Sequence, residues 1–193
     1  MLEKIKESAA FLRAEGIKDP EAGVVLGTGL GGLTSKIENS LEIDYRRIPN
    51  FPVSTVEGHE GKLIYGDFGG RKIVAMKGRF HYYEGYSPEQ IALPIRVMKY
   101  LGINYLFLSN ASGGVNPEFQ IGDIMIVTDH INLIPNPLVG PNDDRIGVRF
   151  PDMSEAYDKR LIGKAIDIAG RNNITVRKGI YLGTTGPTFE TPA

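Results

Sequence analysis

Three short apolar runs in this chain each lead into glycine, two of them into a glycine-rich turn, and that recurrence restricts the fold more than any other feature. Gly23-Val24-Val25-Leu26-Gly27 leads into Thr28-Gly29-Leu30-Gly31-Gly32-Leu33. Lys72 to Lys77 leads into Gly78, and Asn104 to Ser109 leads into Asn110-Ala111-Ser112-Gly113-Gly114. Runs this short and apolar read as buried strands. Glycine at their ends suits tight turning or close approach of the main chain to a ligand. Helical patterns lie between them. Leu2, Ile5, Ala9 and Leu12 form a core-facing stripe on an opening helix that ends at Gly16. Ser87-Pro88-Glu89-Gln90 is a helix start, with Ser87 as N-cap, Pro88 at N1 and Gln90 completing a capping box. Its buried stripe is Ile91, Ile95, Met98 and Leu101, with a kink expected at Pro94 and an end at Gly102. Ser154 is expected to cap a third helix through Gly170, with Leu161, Ala165 and Ile168 inward. Further strands are expected over Leu41 to Arg46, Lys62 to Phe68 (hairpinned with Lys72 to Lys77), Asp123 to Thr128 and Val176 to Gly183. The alternation predicts one α/β domain over residues 1–193, a mixed, mainly central sheet flanked by helices.

Composition narrows the function classes. A net charge of -1 gives no reason to expect a nucleic-acid or acidic-lipid surface. With no cysteine, disulfides and thiolate metal sites are excluded, which fits a reducing, cytoplasmic setting. The first residues carry both signs of charge and no apolar core, unlike a signal peptide. No apolar run approaches membrane-spanning length. The three histidines are far apart and lack metal-ligand spacing, so no metal is expected; no cofactor is expected either.

Gly78-Arg79-Phe80-His81-Tyr82-Tyr83-Glu84-Gly85 is the densest chemistry in the chain. If the preceding strand continues through it, Arg79, His81 and Tyr83 share one face and Phe80 and Tyr82 the other. That sets a guanidinium, an imidazole and a phenol at the C-terminal end of a strand, where open α/β sheets bind ligands. The alternative is an edge strand with a solvated polar face. Gly27, Gly29 and Gly32 match a dinucleotide fingerprint. However, any helix after them must end by Asn39, and Glu42 and Asp44 come too early. The turn is therefore read as an anion loop, with main-chain N–H groups and the Thr28 hydroxyl as donors. Asn110 to Gly114 repeats the pattern, though an ordinary tight turn explains either one alone. His59 lies in a glycine-flanked polar loop, as a mobile ligand-closing residue or a solvated one, with solvation favoured. His130, among apolar residues, reads as a hydrogen-bonded core histidine. Pro135 to Phe150 is a long irregular segment ending in an aromatic that would be odd to leave in water. Phe189 offers a flat apolar face and Glu190 an acceptor, together suited to a planar heterocycle with N–H donors, or else an exposed turn.

Six motifs in order resemble those of the trimeric purine nucleoside phosphorylases. They are Gly27 to Gly32, Gly78 to His81 with Tyr83-Glu84-Gly85, Asn110 to Gly114, Asp129-His130-Ile131-Asn132, Gly140-Pro141-Asn142-Asp143, and Gly186-Pro187-Thr188-Phe189-Glu190. The resemblance implies a nucleoside phosphorylase-like fold. It also implies phosphorolysis of purine nucleosides to free base and ribose 1-phosphate, in purine salvage. It makes Thr28, His59, Arg79, Phe80, His81 and Ala111 the phosphate site. Tyr83, Phe150, Phe189 and Glu190 become the nucleoside site, with His81 and Glu190 catalytic. It implies a homotrimer in which Phe150 reaches a neighbouring subunit's ribose site. A carboxylate at Glu190 implies 6-oxopurines, whose N1–H can donate to it.

The family continues well past the purine motif, with more sheet, a closing helix and further site residues. A chain ending at Ala193 is therefore expected to be at most weakly active and to expose an apolar sheet edge prone to association. Competing expectations are a methylthioadenosine phosphorylase, a dinucleotide-binding domain using Gly27 to Gly32, and a fragment without activity.

Overall fold

The computed structural model describes residues 1–27, 29–53, 61–188 and 191. The chain forms two compact units, Met1–Ala111 and Ser112–Ala193.

The first unit opens with helix α1 (Leu2–Ala14), which buries Leu2, Ile5, Ser8, Ala9 and Leu12, the expected stripe with Ser8 added. Ser8 is tolerated inside because its hydroxyl donates to the carbonyls of Lys4 and Pro49. Among the described residues five strands follow: β1 (Ala22–Leu26), β2 (Glu38–Asp44), β3 (Lys62–Phe68), β4 (Arg71–Lys77) and β5 (Tyr105–Leu108). They order as β2-β3-β4-β1-β5. The β2-β3 and β3-β4 pairs are antiparallel, and β4-β1 and β1-β5 are parallel. The mixed α/β sheet is thus as expected. Alternation along β1 sorts its neighbours. Ala22 and Val24 join Ile37, Ile64, Ile73 and Ala75 in one cluster. Gly23 lies so close to Ile103 and Met98 that a Cβ there would stand 2.8 Å and 2.9 Å from them.

Helix α2 (Pro88–Leu101) starts as its sequence predicts. The Ser87 hydroxyl accepts from Gln90 N–H at 3.3 Å, and the Gln90 amide oxygen accepts from Ser87 N–H at 2.9 Å. The helix runs through Pro94, and its buried residues are Leu93, Pro94, Val97, Met98 and Leu101. Met98 and Leu101 are buried as expected, whereas Ile91 and Ile95 are only partly buried and Leu93, Pro94 and Val97 fill the stripe instead.

Strand β5 corrects another expectation. It forms within Asn104 to Ser109, but every residue of it is exposed. Among the described residues it is the sheet edge and pairs with β1 alone. Such apolar edges are open to further pairing.

The second unit is built on the parallel pair β6 (Ile124–Asn132) and β7 (Val176–Gly183), joined through α3 (Lys159–Arg171). Asp158 caps α3, its carboxylate accepting from Arg160 N–H at 2.8 Å and Leu161 N–H at 3.2 Å. Ser154 is not the cap. Its backbone N–H donates to the Asp152 carboxylate at 2.8 Å, a local turn that competes with helix. Of α3 only Ala169 is buried; Ala165 and Ile168 are exposed and Leu161 is partly buried. Two strands present too little sheet to cover a whole helix stripe.

Two stability predictions follow from this packing. Leu12 is fully buried, so Leu12→Ala should lower unfolding free energy in urea by about 2–5 kcal/mol. Asp44 caps the turn Tyr45–Arg47, and its bonds to the Arg46 guanidinium and N–H hold its carboxyl down at about 2. The folded value lies below the ordinary carboxylate value. Its stabilisation is therefore complete above about pH 4 and fades as pH falls through about 2. Urea midpoints measured from pH 5 to pH 2 should fall less steeply in Asp44→Asn than in the unaltered protein.

Candidate active site

Three parallel strands, β4, β1 and β5, end side by side; the glycine-rich turns leave from β1 and β5 and the Arg79 segment from β4. Gly27 explains why the β1 turn must begin with glycine. A Cβ there would lie 2.6 Å from the Ser109 carbonyl oxygen and 2.7 Å from Asn110 Cα. Ser109 ties the ends together. Its hydroxyl accepts from Gly27 N–H at 3.0 Å and donates to the Val25 carbonyl at 3.0 Å. Its own carbonyl accepts from Arg79 Nη1 at 3.0 Å. After Gly27, Leu30 N–H closes a turn on the Gly27 carbonyl and Gly29 takes φ +83°. A short 3-10 turn, Gly31–Lys36, then leads into β2. Among the described residues no crossover helix follows β1 before β2, as a dinucleotide fingerprint would require, which counts against that reading.

The Arg79 segment reaches its arrangement by a route other than strand alternation. Strand β4 stops at Lys77, and Gly78 turns the chain at φ +100°. A 3-10 turn, Tyr82–Glu84, ends at Gly85 with φ +91°. The turn nonetheless groups the expected side chains. Arg79 Nε donates to His81 Nε2 at 3.1 Å, and the Tyr83 ring stacks on His81 at 4.8 Å and 13°. Because Arg79 Nε always carries hydrogen, His81 Nε2 is an acceptor in this contact and the ring proton sits on Nδ1. Nδ1–H then donates to Glu84 Oε1 at 2.8 Å, and the same oxygen accepts from His81 N–H at 2.8 Å. The Glu84 side chain is 2% exposed and that of His81 16%. A buried carboxylate thus fixes the tautomer and tilt of the imidazole. Two of the five Arg79 N–H groups are engaged in these bonds, and a planar fork of this kind suits oxyanions.

Phe80 is placed differently from its two neighbours. Its ring is 5% exposed and packs at 5.2 Å on Tyr45 and 6.0 Å on Tyr86. The ring is thus part of the packing under the turn, and any part Phe80 takes at an anion site falls to its main chain. Beneath it, the Tyr45 hydroxyl donates to the Gly78 carbonyl at 2.8 Å, and burial pushes that phenol far above its usual range. Ala111 closes the first unit, exposed, just beyond Ser109. Tyr83 is exposed beside His81.

In the second unit Phe150 is 87% exposed on the irregular segment before α3. His130 lies on β6 with its Nδ1 3.2 Å from the Tyr157 hydroxyl, hydrogen-bonded as expected but only partly buried rather than in the core. Thr28, His59, Phe189 and Glu190 lie outside the described residues. Among the described residues no group of three or more His, Asp or Glu could hold a metal ion. Sequence reasoning missed Glu84 and Ser109 as site residues. The i to i+3 spacing of His81 and Glu84 inside a glycine-bounded turn was a usable signal, whereas nothing in the sequence marks Ser109.

A sequence profile of the phosphorylase superfamily matches residues 21–193. Purine nucleoside phosphorylase 1 of Geobacillus stearothermophilus is 54% identical over 98% of this chain and 69% of its own length. That of Bacillus subtilis is 53% identical over the whole of this chain and 72% of its own. Among solved structures, isoform 2 of the Schistosoma mansoni purine nucleoside phosphorylase, in complex with cytosine and ribose-1-phosphate, superposes with a TM-score of 0.93. Its identity is 46%, covering 98% of this chain and 69% of that one. The chain belongs to the phosphorylase superfamily and, within it, to the purine nucleoside phosphorylases, a family of enzymes.

Gly27→Ala, which drives a methyl group into Ser109 and Asn110, should lower the thermal midpoint and abolish binding of inorganic phosphate in calorimetry. Unchanged phosphate binding would show that the strand ends need not meet this closely.

Proposed function

We propose that the protein catalyses phosphorolysis of 6-oxopurine ribonucleosides and deoxyribonucleosides, giving the free base and (deoxy)ribose 1-phosphate. The observation that carries the reading is the Glu84–His81–Arg79–Ser109 chain at the meeting point of three parallel strand ends, in a chain 54% identical to a purine nucleoside phosphorylase. Inorganic phosphate is a co-substrate, and no cofactor or metal takes part. The two units belong to one nucleoside phosphorylase-like domain in this reading.

The chemistry asks mainly for positioning and charge stabilisation. A phosphate oxygen bonds to C1′ as the C1′–N9 bond breaks. The electron pair of that bond leaves with the purine, which takes up a proton. Arg79 neutralises the phosphate, and main-chain N–H groups of the Gly27 and Ala111 turns, with Thr28 and His59, complete its shell. His81, protonated on Nδ1 and steadied by Glu84, offers Nε2 to a phosphate hydroxyl once the anion takes over the Arg79 fork. Tyr83 and Phe150 face the ribose. Phe189 stacks on the purine, and Glu190 accepts from N1–H and holds charge on the leaving base. Phe150 acts in a neighbouring subunit of a homotrimer, which accounts for an aromatic ring left so exposed. The reaction belongs to purine salvage in the cytoplasm.

The test is release of hypoxanthine from inosine with and without phosphate. Phosphate-dependent release is expected, with much slower turnover of methylthioadenosine. Equal release without phosphate would point to a hydrolase. Arg79→Ala should raise the phosphate KM roughly 10- to 100-fold, as loss of charged hydrogen bonds worth about 1.5–3 kcal/mol implies, with a smaller effect on nucleoside. Glu190→Ala should mainly depress inosine turnover; if it does not, the purine site has been assigned to the wrong residues.

A further inference from the structure

No helix or strand interrupts the stretch from 133 to 158, yet it is closely laced. Leu138 N–H donates to the Asn136 side-chain oxygen at 2.8 Å, and Val139 N–H to the Asn136 carbonyl at 3.2 Å. Ile146 N–H donates to the Asp143 carbonyl at 2.8 Å, and Asn142 Nδ2 to the Gly147 carbonyl at 3.1 Å. One side chain closes the loop. Arg149 Nη1 carries two N–H groups, one donating to the Leu138 carbonyl at 2.9 Å and the other to the Gly140 carbonyl at 2.7 Å. Gly140 has φ +108°, a conformation that side-chain-bearing residues seldom adopt, and this turn aims its carbonyl at the guanidinium. The same guanidinium stands 6.0 Å from the centre of the adjacent Phe150 ring. Phe150 is 87% exposed, so packing within its own unit does little to hold it. The clasp stands next to it in sequence.

We propose that Arg149 is a positioning residue, a clasp that closes the 138–149 loop and presents Phe150 in one orientation. The proposal rests on Phe150 serving the nucleoside. A preformed loop spares the ordering cost that binding would otherwise meet. Removing the clasp therefore weakens nucleoside binding and leaves phosphate alone.

The test compares Arg149→Ala, Arg149→Lys, Phe150→Ala and the double variant Arg149→Ala/Phe150→Ala. It reads inosine KM, phosphate KM and amide hydrogen exchange over residues 138–147. Arg149→Ala should raise the inosine KM about tenfold at unchanged phosphate KM and speed exchange in the loop. Arg149→Lys should fall between, because an ammonium can reach a carbonyl but lacks the planar fork. The double variant should match Phe150→Ala, since the clasp acts only through the ring. Additive losses would overturn the proposal, because Arg149 would then act independently of Phe150. So would an Arg149→Ala variant with unchanged exchange and inosine KM while Phe150→Ala is impaired. If Phe150→Ala leaves the inosine KM untouched although Arg149→Ala loosens the loop, the nucleoside assignment of Phe150 fails and the positioning role with it.

Discussion

Ser109 holds the first unit's chemistry together. Its hydroxyl bridges Gly27 N–H and the Val25 carbonyl, and its carbonyl receives Arg79. One residue at the end of the edge strand thereby ties the turn after β1 to the guanidinium after β4. The bridge works only because Gly27 has no Cβ. With any side chain there, the strand ends would separate and the Arg79 fork would lose its stop. Parallel pairing of β4, β1 and β5 supplies the coarse alignment, since it carries all three chains to the same edge of the sheet.

Around that knot, side chains are ranked by burial. Glu84 is shut away, His81 is nearly so, and Tyr83 lies open. The order suits the proposed roles. A carboxylate that fixes a tautomer gains strength from low dielectric, whereas a ring meeting a sugar has to be reachable. Tyr45 and Phe80 fill the space below, so the turn carrying Arg79 and His81 rests on an aromatic base.

Legibility in the sequence followed the range of the forces involved. Helix α1, the start of α2 and the β3–β4 hairpin were readable because stripes, capping boxes and the two-glycine turn between those strands, Gly69-Gly70, act over a few residues. The start of α3 was misread because Ser154 and Asp158 both suit an N-cap, and the neighbouring Asp152 drew Ser154 into a turn. The burial of β5 and of the α3 stripe was overestimated, because apolar content says what can be buried and not how much partner surface is on hand. Arg79, His81 and Tyr83 were grouped correctly from alternation, although a turn rather than a strand brings them together.

By itself the sequence determined the α/β class, the glycine-ended strands and the kinship that its motifs carry. These are local patterns, and each is set by side-chain type at short spacing. Only the tertiary structure decided that Ser109 joins two strand ends 82 residues apart in sequence. It alone showed that Glu84 is buried against His81, that Phe80 faces inward, and that Arg149 clasps two carbonyls beside Phe150. Those arrangements depend on which strands pair and where a turn returns the chain. No single stretch of sequence records them, because the partner lies elsewhere in the chain.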